Sequence, residues 1–236
     1  MKVAWFSCGA TSAVACKLAL NKYDDVKIVY IETNSHHLDN KRFINDCEKW
    51  YRQKIEIIKS NYEGVFDVIR RTRFINSARG ASCTSRLKIN VRKQYEYEHP
   101  EITHYIWGFE ATIKEKARAN RMNERYPEYT HLFPLIDEQY DKTYCLGLLE
   151  RAGIEIPAMY QLGYNNNNCI GCVKGGMGYW NKIRKDFPDV FNEMSNVERE
   201  IGHSALKDYF LDELPIDAGS KTKELIPDCG IFCTTI

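Results

Sequence analysis

Apolar residues open the chain as a short run, Val3–Phe6, that breaks at the polar turn Ser7–Gly9. They return as Ala13, Val14, Cys16, Leu18 and Ala19, a spacing that suits a helix. VKIVYIET then reads as a buried strand, rich in β-branched and aromatic residues and closed by polar ones. From Asp39 to Gln53 the apolar positions Phe43, Ile44, Cys47 and Trp50 fall on one helical face. KIEIIK predicts a third strand, EGVFDVIRR a helix, and HYIWGFE a fourth strand ending at Gly108. Strands alternating with helices predict an α/β fold, a doubly wound, mostly parallel sheet with helices on both faces. Ligands of such sheets bind beyond the carboxyl ends of the strands, where strand order reverses. The segments Ser7–Ser12, Glu32–His37 and Gly108–Lys114 each follow a strand, so they are expected to line one crevice.

After Pro134 the pattern changes. A helical stretch from Lys142 to Ala152 leads into a glycine- and asparagine-rich segment carrying Cys169-Ile-Gly-Cys172, then a helix from Trp180 to about Glu200. This predicts a nucleotide-binding domain over 1–135 and a helical, cysteine-bearing region over 136–236, packed as one unit. Composition narrows the function classes. With 44% hydrophobic and 28% charged residues the 236-residue chain is an ordinary globular sequence, and its net charge of +1 gives no global field for nucleic acid or a membrane surface. No run of about 18 apolar residues is present, and no apolar leader with a cleavage site, so a cytoplasmic protein without a membrane span is expected. Nine cysteines then point away from a disulfide framework and towards metal, redox or catalytic thiols. Cys16, Cys47 and Cys145 sit in helical apolar patterns and read as small core residues. Cys8, Cys83, Cys169, Cys172, Cys229 and Cys233 lie in turn-rich contexts.

A phosphate loop between strand and helix needs small residues, so that backbone N–H groups can reach oxygens, and gains from hydroxyls and the helix dipole. Ser7, Cys8, Gly9, Ala10, Thr11 and Ser12 supply that chemistry, although a plain structural turn has the same local signature. Motifs further along separate the two readings. SCGATS resembles the S-G-G-x-D-S pyrophosphatase loop of the adenine nucleotide α-hydrolase superfamily, and the chain as a whole resembles the phosphoadenosine phosphosulfate (PAPS) reductase family within it. YIETNSHHLDN is similar to that family's second-strand turn, SCTSRLKI to its Cys-Cys-x-x-x-Lys region, and WGFEATIKEKAR to its Gly-x-Arg-x-x-Glu-x-x-x-Arg segment. FPLIDEQY through IPAMYQLGYNNNNCIGC resembles its Pro-Leu, helix, Leu-Tyr-x-x-Gly-Tyr and cysteine region, and DCGIF its C-terminal Glu-Cys-Gly-x-His. The resemblance implies phosphate binding at Ser7–Ser12, with Glu32, Thr33, Asn34, Gly108 and Arg118 bordering the nucleotide. The departures are Cys8 for glycine, Ala10 for lysine, Thr11 for aspartate, and Phe109–Glu110 where the family has an arginine for the sulfonucleotide.

The resemblance also implies a 4Fe–4S cluster on Cys83, Cys169 and Cys172, with zinc as the alternative. The fourth ligand is left among Cys233, Cys229, a non-cysteine side chain and an open site. Cys229 matches the family's attacking cysteine. Three functions follow: a PAPS reductase-like enzyme that reduces a sulfonucleotide through Cys229, with a thiol electron donor; an ATP pyrophosphatase that adenylates a nucleic acid or other acceptor for thiolation; and a non-catalytic nucleotide or metal sensor. ATP, PAPS or another adenine nucleotide is the expected small-molecule partner. His36 and His37 are candidate phosphate or ribose contacts, and helix capping would use them equally well. The basic stretch 70–93 around Cys83, with Arg70, Arg71, Arg73, Arg79, Arg86, Lys88, Arg92 and Lys93, would suit a nucleic acid or only a solvated face. An oligomer is compatible with all three functions.

Overall fold

The computed structural model describes residues 1–78 and 80–219. In chain order its elements are β1 (Lys2–Phe6), α1 (Ala10–Lys22), β2 (Val26–Glu32), α2 (Asn40–Tyr51), β3 (Glu56–Lys59), α3 (Val65–Thr72) and a two-stranded ribbon, β4 (Asn76–Ser77) and β5 (Gly80–Ala81). A single turn, α4 (Ser82–Thr84), runs through a π-helical segment (Ser85–Ile89) into α5 (Asn90–Glu98). Then come β6 (His104–Ile106), α6 (Ile113–Arg125), β7 (Thr130–Leu132), α7 (Pro134–Asp137), α8 (Lys142–Arg151), α9 (Ala158–Gln161), α10 (Met177–Asp186) and α11 (Pro188–Ile201).

Five strands form one sheet in the order β3-β2-β1-β6-β7, and β1 pairs parallel with both β2 and β6. Strand order therefore reverses at β1, which makes the loop after Phe6 the switch point of the sheet. Period-two alternation along β1 explains its burial on both sides. Ala4 and Phe6 point into a core built with α1, α2 and α8, where Phe6 stacks on Phe43 at 6.1 Å. Trp5 faces the other way and meets Tyr95 of α5 edge-on at 5.9 Å and Tyr105 at 6.0 Å. Each such aromatic, removed from water, contributes on the order of 2 kcal/mol. The α/β architecture and the mostly parallel sheet agree with the sequence reading, and so does the helical region that follows.

Contacts divide the chain into two compact units. The first holds Met1–Ile31, Leu38–Ile58 and Tyr95–Asn167; the second holds Glu32–His37, Lys59–Gln94 and the described residues from 168 on. In the first, α1 lies on β1 and packs against α7, α8 and α2. Cys16, Cys47 and Cys145 are buried there as expected, and burial pushes each thiol above its ordinary range. In the second, α11 packs on α10 and α3. Glu198 of α11 is fully buried and accepts the amides of Ala205 and Leu211, fastening the chain after α11.

Candidate functional site

Two groups of sequence-predicted residues come together, one in each unit. In the first unit, the loop after β1 turns onto α1 with Gly9 as N-cap. Ser12, at the third helical position, reaches back into the turn. Its Oγ accepts the amides of Ser7 at 3.1 Å and Gly9 at 3.3 Å and donates to the Gly9 carbonyl at 3.0 Å. The Ser7 hydroxyl also donates to Ser12 Oγ, at 3.0 Å. The loop is thus closed around its own serine. Cys8 stands in the left-handed region at φ 61°, a conformation that favours glycine, and its side chain is fully buried. Its thiol faces the Asn40 carbonyl and lines no opening to solvent.

Gly108 ends the β6 run, and there a Cβ would lie 2.6 Å from Ser12 Cα and 2.7 Å from Ser12 N. The missing side chain lets this strand end touch the first turn of α1. Gly108 therefore shapes the loop directly. Arg118 is paired with Glu115 at 3.1 Å and lies over the Phe109 ring at 4.2 Å from its centroid. Phe109 thus anchors this arginine through its ring face. The neighbouring Glu110 accepts the Lys142 amide at 2.9 Å.

Two residues at the loop were not singled out from the sequence. Tyr160 of α9 accepts the Ala10 amide on its hydroxyl at 3.3 Å, and burial pushes its phenol up to about 12. Asn167 donates to the Cys8 carbonyl at 2.6 Å and to Asn40 Oδ1 at 2.8 Å. Their signals were present as the tyrosine of MYQLGY and as the asparagine run, but only the fold brings them to position 8–10.

The second unit gathers the turn after β2 with the cysteines. Cys83, Cys169 and Cys172 line one recess with Thr84, Leu87, Lys88 and Asn168, enclosing about 20 Å3, the space of one water. Thr33 Oγ1 is 3.3 Å from Cys169 Sγ, and His36 Nδ1 is 3.4 Å from Glu32 Oε1. Burial opposes charge on Cys169, but the His36 imidazolium, its hydrogen bond and Lys88 outweigh it and bring the thiol to about 6. Reciprocally, burial opposes charge on His36, but the Cys169 thiolate and Glu32 raise it to about 9. Glu32 and Thr33 thus engage the cysteine group, and Asn34 donates its amide back to Glu32 at 2.8 Å. Tyr179 holds the CxxC turn by accepting the Cys172 amide at 2.9 Å. Among the described residues, no three His, Cys, Asp or Glu side chains already stand in a metal-gripping arrangement. Cys229 and Cys233, the expected nucleophile and a candidate fourth ligand, lie outside the described residues, as does Arg79.

The basic stretch is partly neutralised within the second unit. Arg70 meets Glu193 at 2.7 Å and Glu200 at 2.9 Å, Arg71 meets Asp67 at 2.7 Å, and Arg92 is buried. His37 meets the Phe187 ring edge-on. No described helix is long and apolar enough to cross a membrane.

A parallel sheet that delivers a small-residue loop to a helix N-terminus at its switch point defines the α/β nucleotide-binding class of fold. Within that class, the chain belongs to the phosphoadenosine phosphosulfate reductase domain family, whose model matches residues 2–175. The crystal structure of phosphoadenylyl-sulfate (PAPS) reductase from Candida auris, a phosphate complex, shares the fold with a TM-score of 0.52 and 13% identity, over 71% of this chain and 80% of that one. Two uncharacterized Methanocaldococcus jannaschii proteins are similar: MJ0973 at 20% identity over 84% of this chain, and MJ0066 at 23% over 83%. The chain spans about half the length of these relatives or less, 47% of the first and 41% of the second.

Proposed function

We propose that the chain is an adenine-nucleotide-binding enzyme of sulfur chemistry that reduces a sulfonucleotide. The observation that carries this reading is the Ser7–Ser12 loop at the switch-point strand, in a chain of the PAPS reductase domain family. The loop's amides and hydroxyls would hold phosphate, and Gly108 keeps the loop's shape. Phosphate bound by the Candida auris structure is consistent with this use of the fold. Cys229 would be the nucleophile: its thiolate attacks the sulfonate sulfur, the S–O bond breaks, and the electron pair leaves with the nucleotide phosphate oxygen. A second thiol then attacks the Cys229 sulfur, sulfite departs with its electron pair, and the resulting disulfide is reduced by an external thiol donor.

The donors of the second unit fit a soft metal in kind, since three cysteines line one recess and Cys169 is held as the thiolate that metals bind. Cys83, Cys169 and Cys172 would hold a 4Fe–4S cluster, or zinc in its place, with Cys233 as the fourth ligand. Such a group supplies redox or electrostatic chemistry when bound.

A second reading, an ATP pyrophosphatase that adenylates a nucleic acid or another acceptor for thiolation, is favoured by one feature. Phe109 and Glu110 stand where an arginine is expected to meet a sulfonucleotide. One pair of assays separates them. Sulfite release from PAPS with a thiol donor, lost in Cys229→Ser, supports reduction. Pyrophosphate release from ATP, unchanged in Cys229→Ser, supports adenylation and refutes the first reading.

A further inference from the structure

The phosphate loop is not open in this structure. Its Ala10 amide, the first of α1, points at the Tyr160 hydroxyl, 3.3 Å away. Gly9 explains how the phenol gets so close, because a Cβ at position 9 would lie 3.1 Å from that same oxygen. A bare glycine in a phosphate loop normally admits an anion's oxygens. Here it admits a tyrosine from a segment 150 residues away. Asn167, on the stretch of chain that follows α9, pins the Cys8 carbonyl with its side-chain amide at 2.6 Å. One short segment therefore clasps the loop at both of its faces. The Asn167 side chain is 5% exposed, and its Oδ1 has no hydrogen-bond partner.

The substitutions in the loop bear on what this clasp does. Ala10 removes the charge that would draw in phosphate, and the phenol oxygen takes the amide that phosphate would use. An oxygen accepting the first amide of a helix makes the contact a phosphate oxygen would make there.

We propose that Tyr160 occupies the phosphate seat of the Ser7–Ser12 loop in the ligand-free chain, and that the phosphate chain of an adenine nucleotide binds by displacing it. Tyr160 is thus a specificity residue: it sets a threshold that a single phosphate meets poorly, and that a nucleotide, with further contacts to offset the lost hydrogen bond, overcomes. Asn167 holds the loop's shape during the exchange and keeps an unused acceptor beside it. The inference rests on the nucleotide-binding reading above.

The test is calorimetry of the full chain and of Tyr160→Phe with ATP, with PAPS and with inorganic phosphate. Removing the hydroxyl leaves the Ala10 amide without a partner until ligand arrives, so the variant should bind its nucleotide about tenfold tighter, the change expected when one buried donor is relieved on binding. Inorganic phosphate should gain by at least as large a factor, since it has the fewest other contacts to offset the exchange. Amide hydrogen exchange at Ala10 gives a second readout on the unmodified chain: protection without ligand that is lost in Tyr160→Phe. Equal or weaker nucleotide binding by a folded variant, or an Ala10 amide unprotected in the wild type, overturns the displacement role and leaves nucleotide binding intact. A wild type and a variant that both bind none of the three ligands overturn the nucleotide reading together with this one.

Discussion

Gly108→Ala is a sharp test of the loop's construction. The added Cβ would meet Ser12 Cα at 2.6 Å, Ser12 N at 2.7 Å and the Thr11 carbonyl carbon at 3.0 Å. Carbon atoms pack best at about 3.5–4.0 Å, so the strand end or the helix turn must withdraw by about 1 Å. No side chain can rotate away, because all three atoms are backbone. The turn is held besides by the hydrogen bonds of Ser12 Oγ to residues 7 and 9. Overpacking that forces a backbone shift costs about 3 kcal/mol at the upper end of its usual range. Replacing glycine by alanine also stiffens the unfolded chain, which returns roughly 0.7 kcal/mol. The net loss is therefore about 2 kcal/mol. With a urea dependence of roughly 3 kcal/mol per molar for a chain of this size, the unfolding midpoint should fall by about 0.7 M. Nucleotide affinity should fall as well, by about tenfold or more, because an ångström of misplacement at a binding loop is felt strongly. A midpoint within about 0.2 M of wild type, with affinity unchanged, would refute the claim that this glycine seats strand against loop.

The thiol group offers a pH test. In metal-free protein, alkylation of Cys169 should follow a titration near 6 instead of the ordinary thiol range, read by mass spectrometry after timed iodoacetamide exposure. In His36→Ala the midpoint should move up, since the imidazolium is the main group lowering it and Lys88 remains. Stability carries the same signature. His36, raised to about 9, loses its contribution as pH rises through 9, whereas Cys169, lowered to about 6, loses its own as pH falls through 6. The pair should stabilise the fold most between those values, and a wild-type-minus-His36→Ala difference that is flat from pH 5 to 10 would count against it. Glu198→Ala should cost about 3 kcal/mol in urea unfolding, because the amides of Ala205 and Leu211 lose their acceptor. A loss below about 1 kcal/mol would show that the segment after α11 is held by other means.

How much of this was legible in the sequence depends on how far apart the interacting residues lie. The loop could be placed because everything it needs is local: a buried strand, small residues, then helical periodicity. The alternation of strands and helices likewise announced the parallel sheet, since parallel strands require a crossover between them. The short pieces around Cys83 (a two-stranded ribbon, one helical turn and a π-helical segment) carry no such period, so the sequence shows there a cysteine motif and a basic stretch without the elements that hold them. That reading grouped charges adjacent in sequence, yet the carboxylates opposite Arg70 come from 123 and 130 residues further on. The same limit applies to Glu32–Asn34. A polar turn after a strand was foreseeable; that its threonine stands beside a thiol 136 residues away was not. Tyr160 and Asn167 complete the case. Residue chemistry along one strand–loop–helix unit predicts what a loop can bind, whereas what occupies the loop before ligand arrives is decided by a segment that only tertiary folding delivers. The missing lysine at Ala10 looks like a lost function when the loop is considered alone. With Tyr160 at the same amide, it marks a loop whose affinity is set by competition between oxygens.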